Sequence, residues 1–180
     1  MVANREFDSV MFKPGIIDYA AGSTSTWNIS TAVYASLSKS VSGQSSNPYG
    51  VAFSSDGTKM YIVDNTNKVV YQYTLSTAWN VSTAVYASLS VSVSGQSSSP
   101  VGVAFSPDGT KMYIVGNSSQ TVYQYTLSTA WNVSTASYAS LSKSVSGQSS
   151  HPIGVAFSSD GTKMYIVDYN SQTVYQYTMH

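Results

Sequence analysis

Pro48-Tyr49-Gly50-Val51-Ala52-Phe53-Ser54-Ser55-Asp56-Gly57-Thr58-Lys59-Met60-Tyr61-Ile62-Val63 returns with few changes from Pro100 and again from Pro152, a step of 52 residues each time. Trp27, Trp79 and Trp131 keep the same step. Cut at the tryptophans, the 180-residue chain divides into an N-terminal leader, residues 1–26, and three repeats, residues 27–78, 79–130 and 131–180. The first two repeats differ at 10 positions and the last two at 10, so one structural solution has to serve all three. A period near 50 residues with strand rather than helix patterning is the mark of β-propeller blades, which bury their faces only against neighbouring blades.

The strands follow from alternation and turn residues. Tyr49–Ser54 sets Val and Phe against Gly, Ala and Ser, as expected of an innermost strand where blades crowd at the axis and small side chains are needed. Ser55-Asp56-Gly57-Thr58 is a tight turn, since Asp bonds its own backbone and Gly accepts positive φ. Lys59–Asp64 is apolar on both faces, so it belongs between two blades. Asn65-Thr66-Asn67 turns into a third strand, Val69–Leu75. After Trp79-Asn80-Val81-Ser82-Thr83 comes an outer strand, Tyr86–Ser94, in which serine alternates with apolar residues and one face is wet. The fold class is therefore all-β, with antiparallel four-stranded blades, three to a chain.

Two stretches carry a family resemblance. Gly102-Val103-Ala104-Phe105-Ser106-Pro107-Asp108-Gly109-Thr110-Lys111-Met112-Tyr113-Ile114-Val115 and Thr121–Ala136 resemble the YVTN-type β-propeller repeats. They are similar in particular to a tyrosine- and tryptophan-bearing subgroup from marine bacterial and bacteriophage proteins. The resemblance covers residues 24–180 and implies the propeller fold. A non-catalytic binding or adhesion scaffold, directed at a glycan or a surface receptor in an extracellular or virion-associated setting, fits this resemblance and the low-charge surface best. A purely structural or engineered propeller fragment with no natural ligand is the alternative.

The order of strands raises the question of closure. Residues 34–41, with Tyr34, Ser36, Leu37 and Val41, match an outer strand that lacks its own inner three. Thr173–Met179, with Val174, Tyr175 and Tyr177, match a third strand whose outer partner is missing. Three blades are too few to close a ring, which takes about four to eight. The expectation is a homodimer that makes six blades by pairing the outer strand of one copy with the last strand of the next. A trimer making nine is the alternative.

Composition narrows the partners. Lys plus Arg number 8 and Asp plus Glu number 8, and charged residues are 9% of the chain. A surplus of cations to neutralise phosphates is missing, which argues against nucleic acid and against a polybasic membrane anchor. No stretch reaches the ~20 apolar residues of a membrane helix, and residues 1–6 have no signal-peptide apolar core. There is no cysteine, which removes disulfides and thiolate metal sites.

Chemistry is sparse at the sequence level. Asp56, Asp108 and Asp160 recur at the turn and have a local reason to be there. Asp64 and Asp168 close second strands where the middle repeat has Gly116, so no repeated calcium loop forms. No Gly-x-Ser-x-Gly, no histidine-rich spacing and no glutamate beyond Glu6 is present, and the expectation is a chain that is not an enzyme and holds no metal or cofactor. If a small ligand binds, the place is one mouth of the channel. There Asn47, Ser99 and His151 vary at one repeat position, with Tyr49, Val101 and Ile153 close by. The tryptophans are expected to cap the core between blades. In the leader, Glu6–Phe12 and Ile16–Ala20 read as short apolar strands.

Overall fold

The computed structural model describes Ser30 and residues 32–180; the two leader strands expected at Glu6–Phe12 and Ile16–Ala20 lie outside the described residues. Residues 37–180 form one compact unit of eleven strands. Blade 1 is β1 (Pro48–Phe53), β2 (Lys59–Asp64), β3 (Val69–Leu75) and β4 (Ala84–Ser92), hydrogen-bonded in that order. Blade 2 is β5 (Pro100–Phe105), β6 (Lys111–Gly116), β7 (Thr121–Leu127) and β8 (Ala136–Ser144). Blade 3 has three strands, β9 (Pro152–Phe157), β10 (Lys163–Asp168) and β11 (Thr173–Thr178). All neighbouring strands are antiparallel, and the inner strands β1, β5 and β9 lie side by side.

The tight turns form as their residues dictate. Asp56 Oδ1 accepts the Ser54 hydroxyl at 2.6 Å and the Thr58 N–H at 3.0 Å. Asp108 and Asp160 repeat the arrangement. The hydroxyls of Ser106 and Ser158, then the N–H groups of Thr110 and Thr162, hold those two carboxyls at about 2.

Each blade buries its faces against the next. Tyr61, Val63 and Val70 of blade 1 share a cluster with Val103, Met112 and Ile114 of blade 2. Val115 and Val122 of blade 2 do the same with Met164 and Ile166 of blade 3. A fully buried Val or Ile side chain contributes roughly 1.5–3 kcal/mol, so these junctions supply most of what holds the blades together. Gly50 and Gly102 let the inner strands approach. A Cβ at Gly50 would sit 3.1 Å from the Val101 carbonyl oxygen and 3.4 Å from the Gly102 Cα.

The outer strands differ from expectation at both ends. They start at Ala84 and Ala136, two residues before the expected Tyr86 and its counterpart, and they end two residues earlier. The Thr83 hydroxyl donates to the Asn80 carbonyl at 2.8 Å, which closes the single 3-10 turn Val81–Thr83 and releases Ala84 directly into pairing with Leu75. The alternation is also interrupted. The register breaks between Gln72 and Tyr73, whose partners are Leu89 and Tyr86. Ser88, with φ of 58°, sits inside this bulge, and Ser140 repeats it.

Residues 34–41, expected as an outer strand, form no strand. A strand needs a hydrogen-bonded neighbour, and the β11 edge that would provide one stands unpaired in its own sheet.

The tryptophan connectors cap the core as expected, at the one junction complete enough to show it. Trp131 stacks near Tyr61 and Phe105, with ring centroids 6.4 and 5.4 Å away. Its backbone N–H donates to the Gly109 carbonyl at 2.9 Å, and its indole lies over that glycine. Gly109 has φ of +71°, and a Cβ there would lie 2.3 Å from the ring. Gly109→Ala is therefore expected to lower unfolding stability by about 2 kcal/mol, from the left-handed backbone cost and the displaced indole. Urea denaturation checks this, read as a lower midpoint with an unchanged slope.

Candidate functional site

Asn47, Ser99 and His151 each stand immediately before an inner-strand proline, and because β1, β5 and β9 are neighbours the three come to one end of the blade stack. Their backbones are held from beneath. The Asn47 N–H donates to Asp64 Oδ2 at 3.2 Å and the His151 N–H to Asp168 Oδ2 at 2.6 Å. The same carboxylates accept the hydroxyls of Ser45 (2.5 Å) and Ser149 (2.6 Å), and their second oxygens take the N–H groups of Asn67 (2.5 Å) and Ser171 (2.6 Å).

Asp64 and Asp168 are fully buried, yet both carboxyls lie below the usual carboxylate range. At Asp64 burial pushes the other way and is outweighed by the N–H of Asn67, the Ser45 hydroxyl and the N–H of Asn47. At Asp168 the Ser149 hydroxyl and then the Ser171 N–H lead. In blade 2, where Gly116 replaces the aspartate, the hydroxyls of Ser119 and Ser97 move into the space. A Cβ on Gly116 would meet them at 2.3 and 2.9 Å, and the Ser99 N–H donates to Ser97 Oγ at 3.2 Å instead.

A second set of bonds ties the blades together at this end. Asn65 Nδ2 donates to Ser99 Oγ and to the Pro100 carbonyl, both at 3.0 Å. Asn117 Nδ2 donates to the Pro152 carbonyl at 2.9 Å. The Ser99 hydroxyl is thus engaged in a blade-to-blade contact. Tyr49 and Ile153 are exposed, whereas Val101 is buried with Val115 and Val122. Asn47 and His151 are half-buried, and the His151 ring lies 5.5 Å from that of Tyr169. Asn47, Tyr49, His151 and Ile153 thus keep accessible side chains at this end of the inner strands, while Val101 turns into the core.

Sequence reasoning passed over Asp64 and Asp168 as strand ends, and it did not single out Asn65 and Asn117. A polar residue closing an otherwise apolar strand in two repeats of three was the available signal for the aspartates.

Of the residues expected at a strand-exchange interface, Val174 is 64% exposed, Tyr175 shares a 3.2 Å hydrogen bond with Ser171 Oγ, and the Tyr177 hydroxyl donates to Gln148 Oε1 at 3.2 Å. Tyr34 and Leu37 are exposed, and Ser36 carries a φ of 58°. Val41 packs against the cluster of Met60, Ile62 and Tyr73.

A cavity of about 290 Å³ lies between blades 2 and 3, lined among others by Tyr113, Gln124, Phe157, Met164 and Tyr177. One junction earlier, the equivalent space is filled by Trp131 and Val133, with the Val133 N–H donating to Gln72 Oε1 at 3.0 Å and the Tyr61 hydroxyl to the Trp131 carbonyl at 2.8 Å. Burial lifts the Tyr61 hydroxyl well above its ordinary value, with a smaller push from the charge of Asp56, which keeps it a donor.

No protein-family profile matches the chain, and no curated protein does. Solved structures do. A candidate 6-phosphogluconolactonase from Bacteroides uniformis superposes with a TM-score of 0.56 at 15% identity, over 74% of this chain and 37% of that one. The periplasmic gluconolactonase of Pseudomonas aeruginosa gives 0.53 at 15%, over 74% and 36%. A luciferin-regenerating enzyme gives 0.52 at 14%, over 74% and 45%. The chain thus spans less than half the length of these neighbours, and the likeness is one of fold, an all-β propeller-like stack.

These neighbours correct two expectations, that of a non-catalytic binding or adhesion scaffold and that of a chain that is not an enzyme, because several propellers of this architecture carry enzyme names. The physical reason is that a propeller mouth collects single residues from successive blades, so its chemistry leaves no local motif in any one repeat.

The buried carboxylates make a testable contribution. Their pKa values are lowered by folding, so the unfolded chain binds protons first on acidification. Their stabilisation is present above the unfolded value of ~4 and is lost as pH falls through the folded values. Thermal midpoints measured from pH 6 down to pH 2 should fall, and Asp64→Asn with Asp168→Asn should flatten that fall.

Proposed function

We propose that this chain builds a lactone-hydrolysing propeller that acts on small uncharged hydroxylated rings at the mouth formed by Asn47, Tyr49, His151 and Ile153. The observation that carries the reading is the placement of Asn47 and His151 at the same end of the inner strands β1 and β9, which flank β5, each backbone fixed by a buried carboxylate. The enzyme names borne by propellers of similar fold support it.

Hydrolysis of a lactone needs a group that accepts a proton from water and returns it to the departing ring oxygen. Imidazole does both near neutral pH. In this reading the His151 ring takes a proton from water as the water oxygen bonds to the lactone carbonyl carbon. The C–O ring bond then breaks, and the imidazolium returns the proton to the ring oxygen, leaving a hydroxy acid. In this reading the Asn47 amide donates to the carbonyl oxygen as negative charge develops there. No Lys or Arg stands among the three residues that precede the inner-strand prolines, which favours a neutral lactone over a phosphorylated one. The repeats themselves support a finer placement, among the YVTN-type propellers of the marine bacterial and bacteriophage subgroup.

The test is proton release from glucono-δ-lactone in weak buffer. Wild-type protein should exceed spontaneous hydrolysis, and His151→Ala should lose about 10²-fold or more of that excess. His180→Ala should leave it unchanged. Wild-type rates equal to the spontaneous rate would refute the reading.

A further inference from the structure

Blade 1 and blade 3 each present, on the side away from blade 2, one half of a contact that the chain makes twice within itself. In the internal contact, one blade offers Tyr61, Val63, Val70 and Gln72, all nearly or wholly buried. The next blade answers with Val103, Met112, Ile114 and the Trp131-Asn132-Val133 plug. In blade 3 the corresponding first half is open. Val167 and Val174 are 38% and 64% exposed, where Val63 and Val70 are 0%, and Gln176 is exposed where Gln72 is buried.

Blade 1 carries the second half ready-made. Trp79 has φ of 63° and Trp131 of 62°. Asn80 accepts the Ser82 N–H at 3.1 Å and its hydroxyl at 2.7 Å, as Asn132 does with Ser134. The Trp79 backbone N–H bonds the Gly57 carbonyl at 2.9 Å, matching Trp131 and Gly109. The plug is fully shaped, and Trp79 is nevertheless 60% exposed, as is Val51 of the same blade at 57%.

A third feature points the same way. Residues 41–45 sit on this face of blade 1 and make the contacts that the end of blade 1's own outer strand, residues 93–97, makes with blade 2. Val41 packs with Met60, Ile62 and Tyr73. The Tyr73 hydroxyl donates to Gln44 Oε1 at 2.9 Å, as Tyr125 does to Gln96 at 2.8 Å. The N–H groups of Gln44 and Ser45 donate to the Val41 carbonyl, as those of Gln96 and Ser97 do to Val93. Ser36 already has the φ of 58° that marks the bulge at Ser88 and Ser140. The segment thus repeats the bulge angle and the end contacts of an outer strand without being in a strand.

We propose that two copies of this chain close a six-bladed ring head to tail. The Trp79-Asn80-Val81 plug of each copy seats against Tyr165 and Gln176 of the other, and residues 34–40 add the missing fourth strand to the other copy's β11. The register is set by the internal pairs Val70 with Val91 and Gln72 with Leu89, which place Val174 opposite Lys39 and Gln176 opposite Leu37 of the second copy. Two identical contacts related by a twofold axis leave no blade face open and satisfy the edge of β11.

Light scattering on the full chain should give twice its 19.2 kDa mass. Val174→Asp should halve that mass with the β-sheet circular dichroism retained, because Val174 is exposed within one copy. The chain has no cysteine, so an Asn47→Cys chain mixed with a Tyr169→Cys chain should give a covalent heterodimer on oxidation, found in neither alone. These positions correspond to Ser99 and Asn65, whose side chains touch across blades 1 and 2. A wild-type monomer, a trimer, or a dimer that neither cross-links through this pair nor responds to Val174→Asp overturns the proposal.

Discussion

A blade of this protein has apolar side chains on both faces of its second strand, and that constraint governs everything else. Met112 and Ile114 need blade 1, and Val115 needs blade 3. No blade folds alone, because half of its apolar surface would face water. The glycines on the inner strands, the tryptophan laid on the turn and the asparagine bonds between successive blades all serve to bring two such faces within contact distance. The scarcity of charge follows as well. A surface whose work is to meet another blade has little use for Lys or Glu.

How much of this could be read in the sequence depended on whether the cause was local. β2 and β3 were legible to the residue because Asp56-Gly57 and Asn65–Asn67 are turns by their own chemistry, and the strands between them are bounded by those turns. β4 was misplaced by two residues at each end. Its start is fixed by a hydroxyl of Thr83 closing one helical turn, and its alternation is broken by a serine in the left-handed region, which composition does not announce. Residues 34–41 show the opposite failure. Their pattern is that of a strand, but strand structure belongs to a pair of segments and only one of the pair lies at hand.

The mouth was harder to read. Asn47, Ser99 and His151 stood out because they vary at one repeat position. Nothing in the sequence told which of their side chains would remain accessible. Val101 reads like Tyr49 and Ile153 and is nonetheless in the core. The buried aspartates were invisible for a related reason. Asp64 ends a strand in the sequence, and only the folding back of Ser45 and Asn67 onto it turns a terminal residue into an anchor that three donors share. Gly116 shows that the anchor is replaceable. Blade 2 fills the same space with two serine hydroxyls and keeps the same backbone path.

Near-identity of the repeats has one more consequence. The plug carried by Trp79 and the plug carried by Trp131 are chemically the same object, so the contact between blades does not distinguish a neighbour on its own chain from one on another chain. The affinity of such a joint then depends on tethering. Joined through a short connector, two blades meet at an effective concentration in the millimolar range, whereas separate chains meet only at the concentration of the solution. Gene duplication that fused two copies end to end would leave every side-chain contact as it is and convert the proposed two-chain ring, sensitive to dilution, into one that persists at any concentration.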